Sequence, residues 1–179
     1  MTKHQQKAEQ VILYVCHKMA GVNGFGSVLF NKLLLFIDQA SYLRSGETLT
    51  GFKYVKQVRG PTPSPSQFMP LVKQMQDENK LRCEKGEQFG FPIKRTIGLK
   101  QPDITKFAPA EIALMDEVIE NFKDATGAMA SQLSHEMLAF KIANVMEDLP
   151  DYTFLLNESD ITEKDLAWGK SKASAYQKA

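Results

Sequence analysis

The chain has little cysteine, tryptophan or histidine: two, one and three residues respectively out of 179. Cys16 and Cys83 form no C-x-x-C pair, which excludes a disulfide framework and the common zinc and redox motifs. Both are expected to be reduced thiols. His4, His17 and His135 fit no H-E-x-x-H pattern, and no D-x-D-x-D-G loop is present, so neither a dedicated metal site nor a cofactor is expected. Long apolar runs are also missing. The longest, residues 28–37, is broken by Asn31 and Lys32 and falls well short of the ~20 residues that span a bilayer. The first ten residues are polar, and Val11 to Val15 is too short for a signal-peptide core. A cytoplasmic protein with no membrane insertion is expected.

Net charge is nearly absent as well, at +1, but the balance is uneven along the chain. Residues 53–106 hold 11 lysines and arginines against 5 acidic residues, a net of +6, whereas residues 109–165 hold 3 lysines against 13 acidic residues, a net of −10. The two halves should therefore present different fields. The 43% apolar and 24% charged content is that of a folded protein. The length suits one domain, expected over residues 1–169, with a flexible tail over residues 170–179.

Ala8, Ile12, Val15, Cys16 and Met19 lie at the spacing of one helical face and predict a first amphipathic helix over residues 5–20. Ser27 is a candidate cap for a second helix that runs to Arg44 and stops at Gly46. That helix is apolar nearly all round, through Leu29, Phe30, Leu33, Leu34, Leu35, Phe36 and Ile37, which predicts a central, buried position. Residues 50–56 predict a short strand or arm. Gly60-Pro61-Thr62-Pro63 predicts a stiff loop, and Ser64 or Ser66 is placed to cap a third helix carrying Phe68, Leu71, Val72 and Met75. A β-hairpin is expected over residues 81–97, with Pro92 at an edge. A fourth helix should start at Pro109 and close at Gly127, and a fifth should be capped by Thr126 and carry Ala130, Leu133 and Met137. The fold class is mainly α: a compact helical domain around a central buried helix, with a small β-hairpin or arm.

Lys32-Leu33-Leu34-Leu35-Phe36-Ile37-Asp38, followed by Gly46, Thr50-Gly51, Tyr54, Gly60-Pro61-x-Pro63 and Ser134-His135, resembles the Panacea (SocA-like antitoxin) domain. The pattern there is K-L-L-Y-F-A-D, a helix-ending Gly, T-G-x-x-Y, G-P-x-P and S-H. The chain departs from it at Leu35, where the family often has Tyr, and at Phe140, near where it often has Trp. The resemblance implies a helical domain with a small β element. It further implies an antitoxin of a bacterial or phage toxin–antitoxin system that binds a cognate toxin protein, usually encoded by an adjacent gene. Some relatives are implied to act as degradation adaptors or in transcription, and a homo-oligomer is compatible with any of these roles.

On that reading a partner-binding surface is expected from the arm and the stiff loop: Phe52, Tyr54, Arg59, Gly60, Pro61, Pro63 and Phe68. Lys32, Asp38, Ser134 and His135 are structural motif residues. Asn31, Lys32 and Asp38 interrupt an apolar helix either as a cleft or as an internal hydrogen-bond network, the second being favoured. Ser134 and His135 are adjacent on a helix and point about 100° apart, which speaks against a nucleophile–base pair and against an enzyme. The main alternative is a DNA-binding regulator with a winged-helix-like segment bearing Lys80, Arg82, Lys94 and Arg95. A further possibility is an acidic docking face formed by Glu111, Asp116, Glu117 and Glu120, with salt-sensitive binding.

Overall fold

The structure is a computed structural model that describes residues 3–88 and 90–156. The expected tail over residues 170–179, and the end of the expected domain, lie outside these residues. The fold is mainly α, with six α-helices and two small sheets among the described residues. In chain order the helices are α1 (Lys3–Lys18), α2 (Ser27–Ser45), α3 (Pro65–Asp77), α4 (Pro109–Phe122), α5 (Gly127–His135) and α6 (Leu138–Ile142). The strands are β1 (Tyr54–Val55), β2 (Thr62–Pro63), β3 (Leu81–Gln88), β4 (Phe91–Gly98) and β5 (Asp148–Leu149). Two 3-10 turns, Ile104–Lys106 and Asp151–Leu155, precede α4 and follow β5.

Helix α2 is the axis of the molecule because it has no polar face to give to water. Leu29, Phe30, Leu33, Leu34, Leu35 and Ile37 are all buried, and the helix packs against α1, α4, α5, β2, β4 and the second 3-10 turn. Each such side chain contributes about 1.5–3 kcal/mol through burial. The helix ends where expected: Gly46 adopts φ +76°, and its N–H donates to the Tyr42 carbonyl. Its start differs from expectation. Gly26, not Ser27, occupies the cap position, and no side chain caps the first turn.

Helix α1 buries Ala8, Ile12, Val15 and Cys16 as its spacing requires, and Met19, just past its end, is buried with them. Ion pairs join α4 to α1 and α2: Lys7–Glu111 at 2.6 Å, Lys18–Asp116 at 2.8 Å and Arg44–Glu117 at 2.8 Å. Gly127 does not close α4. That helix stops at Phe122, and Gly127 opens α5, where the Thr126 hydroxyl accepts from the Met129 N–H at 3.1 Å. On α5 Ala130 is buried, whereas Leu133 is 52% exposed.

The first sheet has the order β2-β1-β5, antiparallel throughout, with Tyr54 opposite Pro63 on one side and Leu149 on the other. Strand β1 is therefore central, and the arm has no free edge to offer a partner strand. The second sheet is the β3–β4 hairpin, paired from Leu81 opposite Gly98 to Gln88 opposite Phe91. It is longer than the sequence pattern indicates. Pro92 lies opposite Glu87, and in a two-stranded sheet every strand is an edge, where a missing N–H is tolerated.

Candidate functional site

The polar residues of α2 lead into two buried clusters. In the first, Asp38 is fully buried and accepts from the Thr50 N–H at 2.8 Å, from the Thr50 hydroxyl and from the Tyr54 hydroxyl at 2.7 Å. The Thr50 hydroxyl in turn accepts from the Phe52 N–H at 3.1 Å. The T-G-x-x-Y segment thus folds its donors back onto one carboxylate and ties the arm to the central helix. Burial pushes the Asp38 carboxyl up to about 6, against the lowering effect of the Thr50 and Tyr54 hydrogen bonds. The Tyr54 phenol is pushed well above its usual value by burial and by the Asp38 charge.

The second cluster forms around Lys32, which is 1% exposed and donates to the Pro61 carbonyl at 2.6 Å. Among the described residues no carboxylate pairs with it. Burial alone lowers its ammonium to about 7. Gly60 adopts φ +94°, and a Cβ there would stand 2.1 Å from Ser134 Oγ and 2.6 Å from Lys32 Nζ. Gly60 is thus required both by its backbone and by the two side chains that converge on it. The Ser134 hydroxyl donates to the Ser131 carbonyl at 2.7 Å, and the Ser131 hydroxyl donates to the Arg59 carbonyl at 2.8 Å. Helix α5 therefore holds the loop down against α2.

Ser134 and His135 share no hydrogen bond. The His135 ring stacks on Phe140, with centroids 4.4 Å apart and planes 2° apart, and its Nε2 lies 3.5 Å from the Ser131 hydroxyl. Lys56 lies over Phe140, 4.6 Å from its ring centroid, and donates to the Phe140 and Ala143 carbonyls at 2.7 Å each. The pair anchors α6 to α5.

These placements correct the expected partner surface. Phe52 is 4% and Tyr54 0% exposed, and Gly60, Pro61 and Pro63 are buried. Phe68 is partly buried between Phe30 and Phe52, at ring-centroid distances of 6.2 and 5.7 Å. Only Arg59 of that set is exposed. The aromatic residues belong to the core because β5 and α3 close over the arm, a closure that no local pattern in residues 50–63 displays.

The lysine, the serine and the glycine-proline loop that formed separate pieces of the sequence motif thus meet inside one structure. A family model described as antitoxin SocA-like, Panacea domain, matches residues 30–139. The chain belongs to this family. No curated protein and no solved structure matches it. The matched span begins within α2 and ends in α6, so it contains both buried clusters and the hairpin.

The surface of this Panacea domain offers two different features near the clusters. Beside Lys32 lies a cavity of about 260 Å³ between α2 and the loop of residues 57–62. Farther along α2, at Phe36 and Gln39, lies an open apolar groove of about 500 Å³, lined by Phe36, Phe122, Leu133, Met137, Leu138 and Leu156 among others. Neither was apparent from the sequence, although Asn31 and Lys32 within an apolar run pointed toward the first.

The charged candidates are largely engaged. Lys80 pairs with Glu9 at 2.8 Å and Glu78 at 2.6 Å, and Arg82 pairs with Glu84 at 2.7 Å. Arg95 lies opposite Glu84 in the hairpin, and Lys94 lies opposite Lys85. Of the acidic candidates, Glu111, Asp116 and Glu117 face cations of α1 and α2, and Glu120 is 3.5 Å from Lys123. Among the described residues no group of three His, Cys, Asp or Glu is placed to hold a metal ion, and no helix is long and apolar enough to cross a membrane.

Proposed function

We propose that this protein is the antitoxin of a toxin–antitoxin pair and neutralises its cognate toxin, encoded by an adjacent gene, by direct binding rather than by catalysis. Membership of the antitoxin SocA-like family supports the role in general. The observation that carries the binding mode is the distribution of exposed apolar side chains. Eight large ones, Met129, Leu133, Ile142, Val145, Met146, Tyr152, Leu155 and Leu156, come from residues 129–156 and are 43% to 69% exposed. Two of them rim the apolar groove beside Phe36 and Phe122. A surface of this kind loses apolar area to water until a partner covers it. A few such anchors supply most of the free energy of an ordinary protein interface.

The test is growth of cells that express the neighbouring gene with and without this protein, followed by co-purification of the two products. Rescue and a stable complex are expected, with Leu133→Glu weakening both while the fold persists, because Leu133 is not a core residue. Rescue without a complex would replace direct binding by a degradation-adaptor role. A harmless neighbour and no complex would overturn the antitoxin reading and favour the DNA-binding alternative, which predicts a salt-sensitive duplex shift that Lys94→Glu with Arg95→Glu abolishes.

A further inference from the structure

The apolar groove at Phe36 lies beside the point where the described chain stops. Two of its lining residues are aromatic, and the Phe36 and Phe122 rings stack with centroids 4.7 Å apart and planes 18° apart. Leu133, Met137, Leu138 and Leu156 line it as well, Leu133 being 52% and Leu156 43% exposed. Aromatic and thioether surfaces suit a flat aromatic anchor, which gains from ring and sulfur contacts beyond the area it buries. Leu156 is the last described residue, and residues 157–179 follow it. They include Trp168, the single tryptophan of the protein, with Leu166 two positions before it. The chain from Leu156 to Trp168 can extend to about 40 Å, so a segment that starts on the groove wall can turn back over the groove. Charge points the same way. Among the described lining residues one is charged, Glu136, whose carboxylate lies on the surface 3.0 Å from Lys141. It keeps lone pairs for a further cation, and Lys170 and Lys172 follow Trp168 in a stretch, residues 169–179, that holds no acidic residue.

We propose that the groove is the docking site of the protein's own C-terminal segment, residues 157–179, with the Trp168 indole against Phe36 and Phe122 and the lysines after it at Glu136. A groove of about 500 Å³ has room for an indole together with a neighbouring aliphatic side chain. Tethering makes the site easy to fill, because a short linker holds the segment at an effective concentration on the order of millimolar. A contact too weak to hold a separate peptide is then closed in the intact chain. The segment is the occupant in the free protein, and the inference does not rest on the antitoxin reading. A toxin that uses the same groove competes with Trp168 for it, so that its binding releases the segment.

The experiment is tryptophan fluorescence of the full chain, in which Trp168 is the sole emitter. Emission to the blue of the urea-unfolded chain, and protection from acrylamide quenching, are expected at every protein concentration. Leu133→Glu, which places a charge in the groove at a half-exposed position, should return both readings to the unfolded values while circular dichroism shows the helices intact. Glu136→Lys, a change confined to the surface, should shift them part of the way. Met129→Glu, on the same helix and 59% exposed but outside the groove lining, should leave them unchanged. Emission of the native chain equal to that of the unfolded chain would overturn the proposal. So would blue emission that persists in Leu133→Glu or in Glu136→Lys, which would seat Trp168 elsewhere, or that is lost equally in Met129→Glu. A blue shift that grows with protein concentration would replace the intramolecular segment by that of a second copy.

Discussion

Lys32 should tilt the dependence of stability on pH in a window where few other groups act. Its ammonium is lowered from 10.5 to about 7 in the folded chain by burial. Between those values the unfolded chain binds more protons than the folded one, so stability rises as pH increases. Unfolding free energy should climb by about 2 kcal/mol between pH 7 and 9, since each pH unit of full proton difference is worth about 1.4 kcal/mol and the lysine is only half ionised at the lower end. Cys16 opposes this, because burial raises its thiol from 9.0 to about 12, but its effect below pH 9 is only about 0.4 kcal/mol. The assay is urea denaturation across this window at fixed ionic strength, on the native chain and on Lys32→Met. Loss of the hydrogen bond to Pro61 shifts the variant's curve by a constant, whereas loss of the titrating group removes the tilt. Parallel curves for the two proteins would refute the reasoning and would mean that Lys32 keeps its ordinary protonation inside the fold.

Two further perturbations probe the same clusters. Gly60→Ala should cost about 2–4 kcal/mol in chemical denaturation, from a strained left-handed backbone and overpacking against Ser134 and Lys32. Ser134→Gly in the same chain should recover part of it, and additive costs would show that the collision at 2.1 Å is not what destabilises the variant. Asp38→Asn should flatten the acid limb. The folded Asp38 carboxyl is raised from 3.8 to about 6, so its stabilisation is complete below pH 3.8 and is lost as pH rises through 6. The stability advantage of the native chain over the variant should therefore shrink by up to about 3 kcal/mol between pH 3.8 and 7, and a pH-independent difference would contradict the assignment.

The parts of the fold that were legible in the sequence are those specified by local periodicity. Helix α2 announced itself because leucines, phenylalanines and isoleucine surround it, and Gly46 marked its end through the one conformation that a side chain makes costly. Helices α1 and α4 followed from one apolar stripe each. Strand β5 was not legible, because two residues, Asp148 and Leu149, carry no pattern. That omission misplaced the arm. Without β5, Tyr54 sits on a free edge, whereas with it Tyr54 is enclosed on both sides and its hydroxyl reaches Asp38. Aromatic residues after a turn are equally suited to an interface and to a core, and only the long-range pairing decides between them.

The same consideration bears on how the family pattern relates to binding. Lys32, Asp38, Thr50, Tyr54, Gly60, Pro61 and Ser134 all lie within the two buried clusters, where each one fixes the position of another. A protein that must present a rigid surface gains from such a frame, because ordering costs are met on folding and not again on binding. The frame constrains its own interior chemistry but leaves the outer faces of α5, α6 and the final 3-10 turn chemically free. On the proposed function, partner choice is then written in exposed residues such as Leu133, Tyr152 and Leu156, which the motif does not contain. Exchanging those side chains should redirect binding while leaving both clusters intact, and exchanging cluster residues should lower stability before it alters specificity.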